Sequence, residues 1–117
     1  MNKVLVLITK GPYGTSLSAE AFRLAVGLAS MEMEVSIAFT DDGVFNLVKA
    51  QAPGELDMKP MSQAFSGIKH GFGVSTYALD ESLRLRGLSA DDLVEVGVID
   101  SDTLARMLAD VDAVARF

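Results

Sequence analysis

Residues 4–8 (VLVLI) form an unbroken apolar run rich in β-branched side chains, and the run stops at a loop carrying glycines, a proline and a lysine. Apolar residues at every position, without alternation, mark a strand buried on both faces, as in a parallel sheet. Residues 16–31 then switch to helical periodicity, with Thr15 or Ser16 placed to cap the first turn. On a helical wheel Ser16, Glu20, Arg23, Gly27 and Ser30 gather within an arc of roughly 80°. Apolar residues, among them Leu17, Phe22, Leu24, Val26 and Met31, occupy most of the remainder. A helix lying on a sheet needs an apolar stripe only a little over about 100° wide. The surplus predicts that this helix also meets something beyond its own sheet.

The same alternation continues along the chain. Residues 34–40 (EVSIAFT) read as a second strand that ends in Asp41-Asp42-Gly43, and residues 44–50 as a short helix. Residues 51–60 hold Pro53, Gly54 and Pro60 among mixed charges and read as a surface loop. A helix over 61–69 carries Phe65 and Ile68 on one side. Residues 73–77 give a third strand, and 79–86 a helix stopped by Gly87. After a turn at 89–92, residues 93–98 give a fourth strand. Asp100 or Ser101 caps a helix through residue 109, and residues 113–117 close the series as a fifth strand.

With 117 residues the chain fits one domain, spanning residues 1–117. Strands alternating with helices predict an α/β fold of three layers, in which a mostly parallel five-stranded sheet lies between helices on both faces. The expected architecture is flavodoxin-like. Ligands of such sheets collect outside the carboxyl ends of the strands. The loops at 9–15, 40–43 and 77–80 are therefore expected to share one edge.

Composition narrows the function. Counted with glycine and without tyrosine, the apolar share is roughly 56%, above the roughly 45–50% of ordinary domains. A chain this small and this apolar points to self-association or a permanent partner. A net charge of −6 and scattered Lys and Arg give no basic surface for nucleic acid, so no direct nucleic-acid binding is expected. The chain has no cysteine and one histidine, His70. That excludes disulfides, thiolate metal ligands and a thiol nucleophile, and a metal site is not expected. The only apolar segment approaching membrane-spanning length, 16–31, carries Glu20 and Arg23, and residues 4–8 are too short for a signal-peptide core. A cytoplasmic protein without membrane contact is the expectation.

The first loop joins strand to helix as phosphate-binding loops do, yet it matches no nucleotide fingerprint. A Walker loop needs Lys-Ser/Thr after its last glycine, whereas Thr15-Ser16 follow Gly14 here and Lys10 precedes the loop. Gly11 and Gly14 give G-x-x-G, not the dinucleotide G-x-G-x-x-G. Thr15 and Ser16 could meet an anion at a helix N-terminus, or serve only as turn and cap. With Tyr13 and Tyr77 as the sole tyrosines and no tryptophan, walls for a flavin ring are poorly supplied, and no cofactor is expected. The edge residues open to a ligand or partner are thus Lys10, Gly11, Tyr13, Gly14, Thr15, Ser16, Asp41, Asp42, Gly43 and Tyr77. Asp41 and Asp42 suit acid–base work or a helical first turn favoured by its dipole. His70 reads as a surface residue at a helix end. Asp80 and Glu81 precede Arg84 and Arg86 at the spacing of solvent-facing ion pairs. No catalytic constellation stands out.

Four stretches together carry a resemblance: GPYGTSLSAEAFRLAVGLAS after the first strand, TDDGVFNLVKAQ after the second, SLRLRGL after the third, and DAVARF at the end. They resemble the DsrE/DsrF-like sulfur-relay family, and within it the DsrF/TusC branch. The DGVF element (Asp42 to Phe45) and the SLRLRGL element (Ser82 to Leu88) weigh most. The resemblance implies a parallel five-stranded sheet and extensive subunit contacts, often among three related chains. It also implies that DsrE/TusD-type subunits pass sulfur as a persulfide on a cysteine near the carboxyl edge. The matching segment here, 73–80, holds Thr76, Tyr77, Ala78 and Leu79 instead. The expectation is a non-catalytic, cysteine-lacking subunit of a sulfur-relay complex, partnered by itself or by cysteine-bearing DsrE/TusD-like sister chains. The alternative is a homo-oligomer that binds a small anionic ligand or nucleotide at the carboxyl edge.

Overall fold

A computed structural model describes residues 2–49 and 61–117. The expected loop at 51–60 lies outside them. Strands β1 (Lys3–Ile8), β2 (Glu34–Phe39), β3 (Ser75–Leu79), β4 (Gly97–Ile99) and β5 (Ala113–Arg116) form one sheet in the order β4-β3-β2-β1-β5. Every pairing is parallel; Leu5, for example, sits opposite Ser36 on one side and Val114 on the other. The helices are α1 (Leu17–Ser30), α2 (Met61–Phe72), α3 (Asp80–Leu85) and α4 (Ser101–Asp110). This is the three-layer α/β architecture read from the chain.

The strand order explains the layers. Three crossovers step the same way from β1 to β4, and the last returns to the far side of β1. Right-handed crossovers place successive helices on one face while the step direction holds, and on the other when it reverses. Side-chain parity agrees with that rule. Val4, Val6 and Ile8 join Val35, Ile37 and Phe39 in one core with Ala21 and Ala25 of α1 and Phe65 and Ile68 of α2. The opposite parity, with Leu5, Ser36 and Tyr77, lies beside Thr103 and Met107 of α4. That second layer is thin, for α4 buries none of its residues.

Part of the apolar surplus stays at the surface. Met31, Leu85, Val98 and Val114 are all exposed. Among the described residues no helix is long and apolar enough to cross a membrane.

Several boundaries differ from the sequence reading, each for a backbone reason. The third strand begins at Ser75 rather than residue 73, because Gly73 (φ 72°) and Val74 cap α2 by donating to the carbonyls of Lys69 and Ile68. The expected helix over 44–50 is instead a 3-10 helix, Asp41–Leu47, followed by an antiparallel bridge from Val48 to Leu93. That bridge also shortens the fourth strand. The Lys49 amide donates to the Asp92 carbonyl and the Val94 amide to that of Leu47, so residues 92–94 pair with 47–49 and the sheet starts at Gly97.

Of the two cap choices for the last helix, Asp100 is the residue used: its Oδ1 accepts from the Thr103 amide at 2.8 Å. Bonds from the Thr103 hydroxyl and then its amide hold the Asp100 carboxyl below its ordinary value of 3.8. A depressed folded value means that the cap stabilises α4 above about pH 3.8 and is lost as pH falls through the lower folded value. An NMR titration should move the Thr103 amide with a midpoint below 3.8. Asp100→Asn, which keeps a capping oxygen, should abolish that titration; a surviving midpoint would assign it to another group.

Candidate functional site

The carboxyl edge is assembled by the four stretches that carry the family resemblance. β1 ends at Ile8, and the Thr9 amide and hydroxyl both donate to the Phe117 carbonyl, at 2.7 and 2.8 Å. The Phe117 amide returns a bond to the Leu7 carbonyl, which ties the ARF end to the start of the first loop. Across β2, the Thr40 amide donates to the Ile8 carbonyl at 3.0 Å. The 3-10 helix therefore starts directly against the end of β1.

Gly43 makes this contact feasible. A Cβ built there would stand 1.9 Å from the Ile8 carbonyl oxygen and 2.6 Å from its carbon, closer than any side-chain atom tolerates. The glycine of the DGVF element is thus required by the close approach of two backbones. Ahead of it Asp41 takes φ 51°, a left-handed conformation that Asp accepts better than most residues. Its amide is held by the Ser82 hydroxyl at 2.9 Å.

The SLRLRGL element closes the edge from the other side. Arg86 Nε donates to Asp42 Oδ1 at 3.0 Å and its Nη1 to the Ser82 carbonyl at 3.2 Å. The sequence spacing pointed Arg86 toward acids of its own helix; the structure pairs it with Asp42 because α3 packs on the 3-10 helix. Ser82 and Arg86 therefore position the two aspartates. Sequence spacing did not expose that role, since the partners lie about forty residues away along the chain.

Between the first loop and the 3-10 helix lies a cleft of about 560 Å³, bounded by Pro12, Tyr13, Phe45, Asn46, Lys49 and Met61 among others. Gly11 and Asp42 also line it, so two of the three loops expected to share an edge, 9–15 and 40–43, contribute to it, and 77–80 does not. Lys10 is exposed but does not line the cleft, although its carbonyl accepts from Asn46. Gly14 (φ 87°), Thr15 and Ser16 are exposed beside it; Thr15 Oγ1 accepts from the Leu17 amide at 3.3 Å, and Ser16 makes no side-chain cap bond. Tyr77 is not brought there. It lies two residues inside β3, packed across Gly97, where an added Cβ would sit 3.1 Å from its ring.

Asn46 and Ser18 are the residues that sequence reasoning missed. Ser18, buried on α1, donates to the carbonyls of Lys10 and Gly11 at 3.4 and 3.3 Å and so steadies the loop. Asn46 is fully buried, and its Nδ2 donates to the carbonyls of Lys10 (2.9 Å) and Gly43 (2.8 Å). Its Oδ1 has no hydrogen-bond partner among the described residues. An asparagine inside an apolar segment was the one available signal, because such a residue is rarely buried without a task. His70 stands exposed in the last turn of α2, at the helix end where it was expected. Among the described residues no cluster of three acidic or histidine side chains forms a metal site.

Known proteins share this chain's sequence along its whole length. The sulfur oxidation protein DsrF of Allochromatium vinosum is 30% identical, over 100% of this chain and 97% of its own. The TusC protein of Buchnera aphidicola subsp. Baizongia pistaciae is 31% identical over the full length of both. The crystal structure of the ychN protein from E. coli superposes with a TM-score of 0.86 at 24% identity, covering all of both chains. The MTH1491 protein from Methanobacterium thermoautotrophicum follows the same fold with a TM-score of 0.70 at 22% identity, again over all of both chains. Residues 2–117 match the DsrE/DsrF-like family, and with the four motifs meeting at one edge of a five-stranded parallel sheet the chain belongs to that family.

Proposed function

We propose that this chain is a cysteine-lacking subunit of a sulfur-relay complex, serving tRNA thiolation or sulfur oxidation/reduction, that shapes the site of a cysteine-bearing sister chain. One observation carries the reading: none of the 117 residues is cysteine, whereas the family resemblance implies that DsrE/TusD-type members hold sulfur on a cysteine thiol. The segment that the resemblance matches to that cysteine, 73–80, holds Thr76, Tyr77, Ala78 and Leu79 instead. A persulfide carrier needs a sulfur nucleophile that is partly ionised near neutral pH, and hydroxyls do not ionise there. Sulfur transfer thus requires a thiol from another chain. The names of its relatives, a sulfur oxidation protein and TusC, support a sulfur pathway. Exposed Val98 and Val114 on the two outer strands give a sister chain apolar surface to cover.

The test is purification of a tagged copy from its native host under reducing conditions. The expected result is co-elution of a cysteine-bearing chain of similar size. The isolated chain, given a labelled persulfide donor, should carry no transferable sulfur, while the complex should carry it. Recovery of this chain only as a homo-oligomer would overturn the reading.

A further inference from the structure

We infer that two copies of this chain join through the open outer edge of β5, their β5 strands pairing antiparallel about a twofold axis at Val114. The pairing needs no sister chain, so it goes beyond the proposed function and does not rest on it.

β5 ends the sheet and is paired on one side only, with β1. The Phe117 amide and carbonyl both bond to β1 and its continuation, at Leu7 and Thr9. Backbone groups of a parallel strand alternate sides from one residue to the next. The amides and carbonyls of Val114 and Arg116 therefore point away from β1, toward the open edge. Such a row is a template for another strand, and proteins guard it with Pro, Lys, a bulge or a covering segment. Ala113–Arg116 contains neither Pro nor Lys. Helix α4 lies beside Leu5, Ser36 and Tyr77 of the inner strands and leaves Val114 47% exposed.

Charge selects the occupant. Residues 112–116 read Asp-Ala-Val-Ala-Arg, with an acid and a base equally far from Val114. An antiparallel copy sets each Asp112 beside Arg116 of the other copy, whereas a parallel copy would set like charges together. Asp112 and Arg116 are both exposed, and Arg116 has no ion pair among the described residues. On the axis the two Val114 residues exchange both backbone bonds and cover each other's side chains. Ala113 and Ala115 meet on the other face, without bulk to hold the strands apart. The opposite edge differs. β4 is flanked by Glu95 and Asp100, so an antiparallel copy there brings acids together. Val98 is thus left for a different chain, while Val114 meets its own copy.

Strands this short bury less than the about 1,200–2,000 Å² of a standard interface. The isolated full chain is therefore expected to be a dissociable dimer in sedimentation equilibrium. Dilution of the ¹⁵N-labelled chain should move the Val114 and Arg116 amides and leave those of Gly97–Ile99 in place. Arg116→Asp should weaken the dimer at least about tenfold, and so should Asp112→Arg. Mixed together, the two variants should dimerise again, because every pair across the axis is once more opposite in charge. Asp112→Arg also removes the acceptor of the Lys3 amide, so Val114→Lys serves as the second variant. That guard on the open edge should give a monomer that melts with the wild type. A wild-type chain that stays monomeric up to about 1 mM would refute the pairing. A dimer that Arg116→Asp and Val114→Lys leave intact would refute it equally. Co-elution of a cysteine-bearing chain from the native host is read separately, so either result can fail without the other.

Discussion

Gly43→Ala is expected to destabilise the protein by about 3 kcal/mol or more, at the upper end of what overpacking costs. The reason is that both clashing groups are backbone. The new Cβ would meet the carbonyl of Ile8 at 1.9 Å, and Ile8, the last residue of β1, is held by its pairing with β2, by the Thr40 amide and by the bonds of Phe117 to its neighbours Leu7 and Thr9. No rotamer change can relieve such a contact, so the 3-10 helix must move. Movement breaks the bond from the Gly43 amide to the Thr40 carbonyl and carries away the Gly43 carbonyl that orients Asn46. Thermal melts should show a fall of about 10 °C or more for a domain of this size. Gly11→Ala is the matched control. Its Cβ would lie 3.6 Å from the Asp42 carbonyl, an ordinary contact, and it should melt close to wild type. Equal melting of the two variants would show that the close approach at Gly43 is not a constraint.

The contrast between these glycines marks how far the sequence could be read. Both stood among the candidate edge residues, and spacing alone did not distinguish them. The strands and their parallel sense were legible because residues buried on two faces leave a continuous apolar run, as at 4–8. The edge was legible because loops between such strands and their helices must gather at the carboxyl ends. The pairing of distant groups was not. Arg86 reads as a partner for acids five and six residues away, yet it reaches Asp42, since the 3-10 helix brings that carboxylate over α3. Tyr77 reads as an edge residue if its strand begins at 73. Two residues spent on capping α2 shift the strand to Ser75–Leu79 and leave Tyr77 inside the sheet. Asn46 shows the same limit. Its type says only that it is polar, while its burial and its two carbonyl partners depend on how three segments meet.

The helical side of the edge rests on one aromatic side chain. Phe65 of α2, 2% exposed, stands edge-on to Phe39 of β2 with ring centroids 4.9 Å apart and to Phe22 of α1 at 5.6 Å. It is a point where the sheet, α1 and α2 touch. Phe65→Ala is expected to cost about 3–5 kcal/mol, the range for emptying a buried aromatic site. The value should fall in the upper half, because two edge-to-face contacts go with it and the surrounding rings cannot collapse into the gap. That loss is a large share of the about 5–15 kcal/mol that holds an ordinary domain together. Its effect should also be directional. α2 is held to the core by Ser62, Phe65 and Ile68, and the residue at its start, Met61, lines the cleft with Ser62. Hydrogen exchange should therefore rise along α2 before it rises in β1 or β2, loosening one wall of the cleft while Asn46 keeps its carbonyl partners. Phe72→Ala, at the exposed end of the same helix, removes the same atoms from a site 47% open to solvent and should change stability by no more than about 0.5 kcal/mol. If Phe65→Ala and Phe72→Ala were equally mild, the three-ring contact would not be what fixes α2 to the sheet.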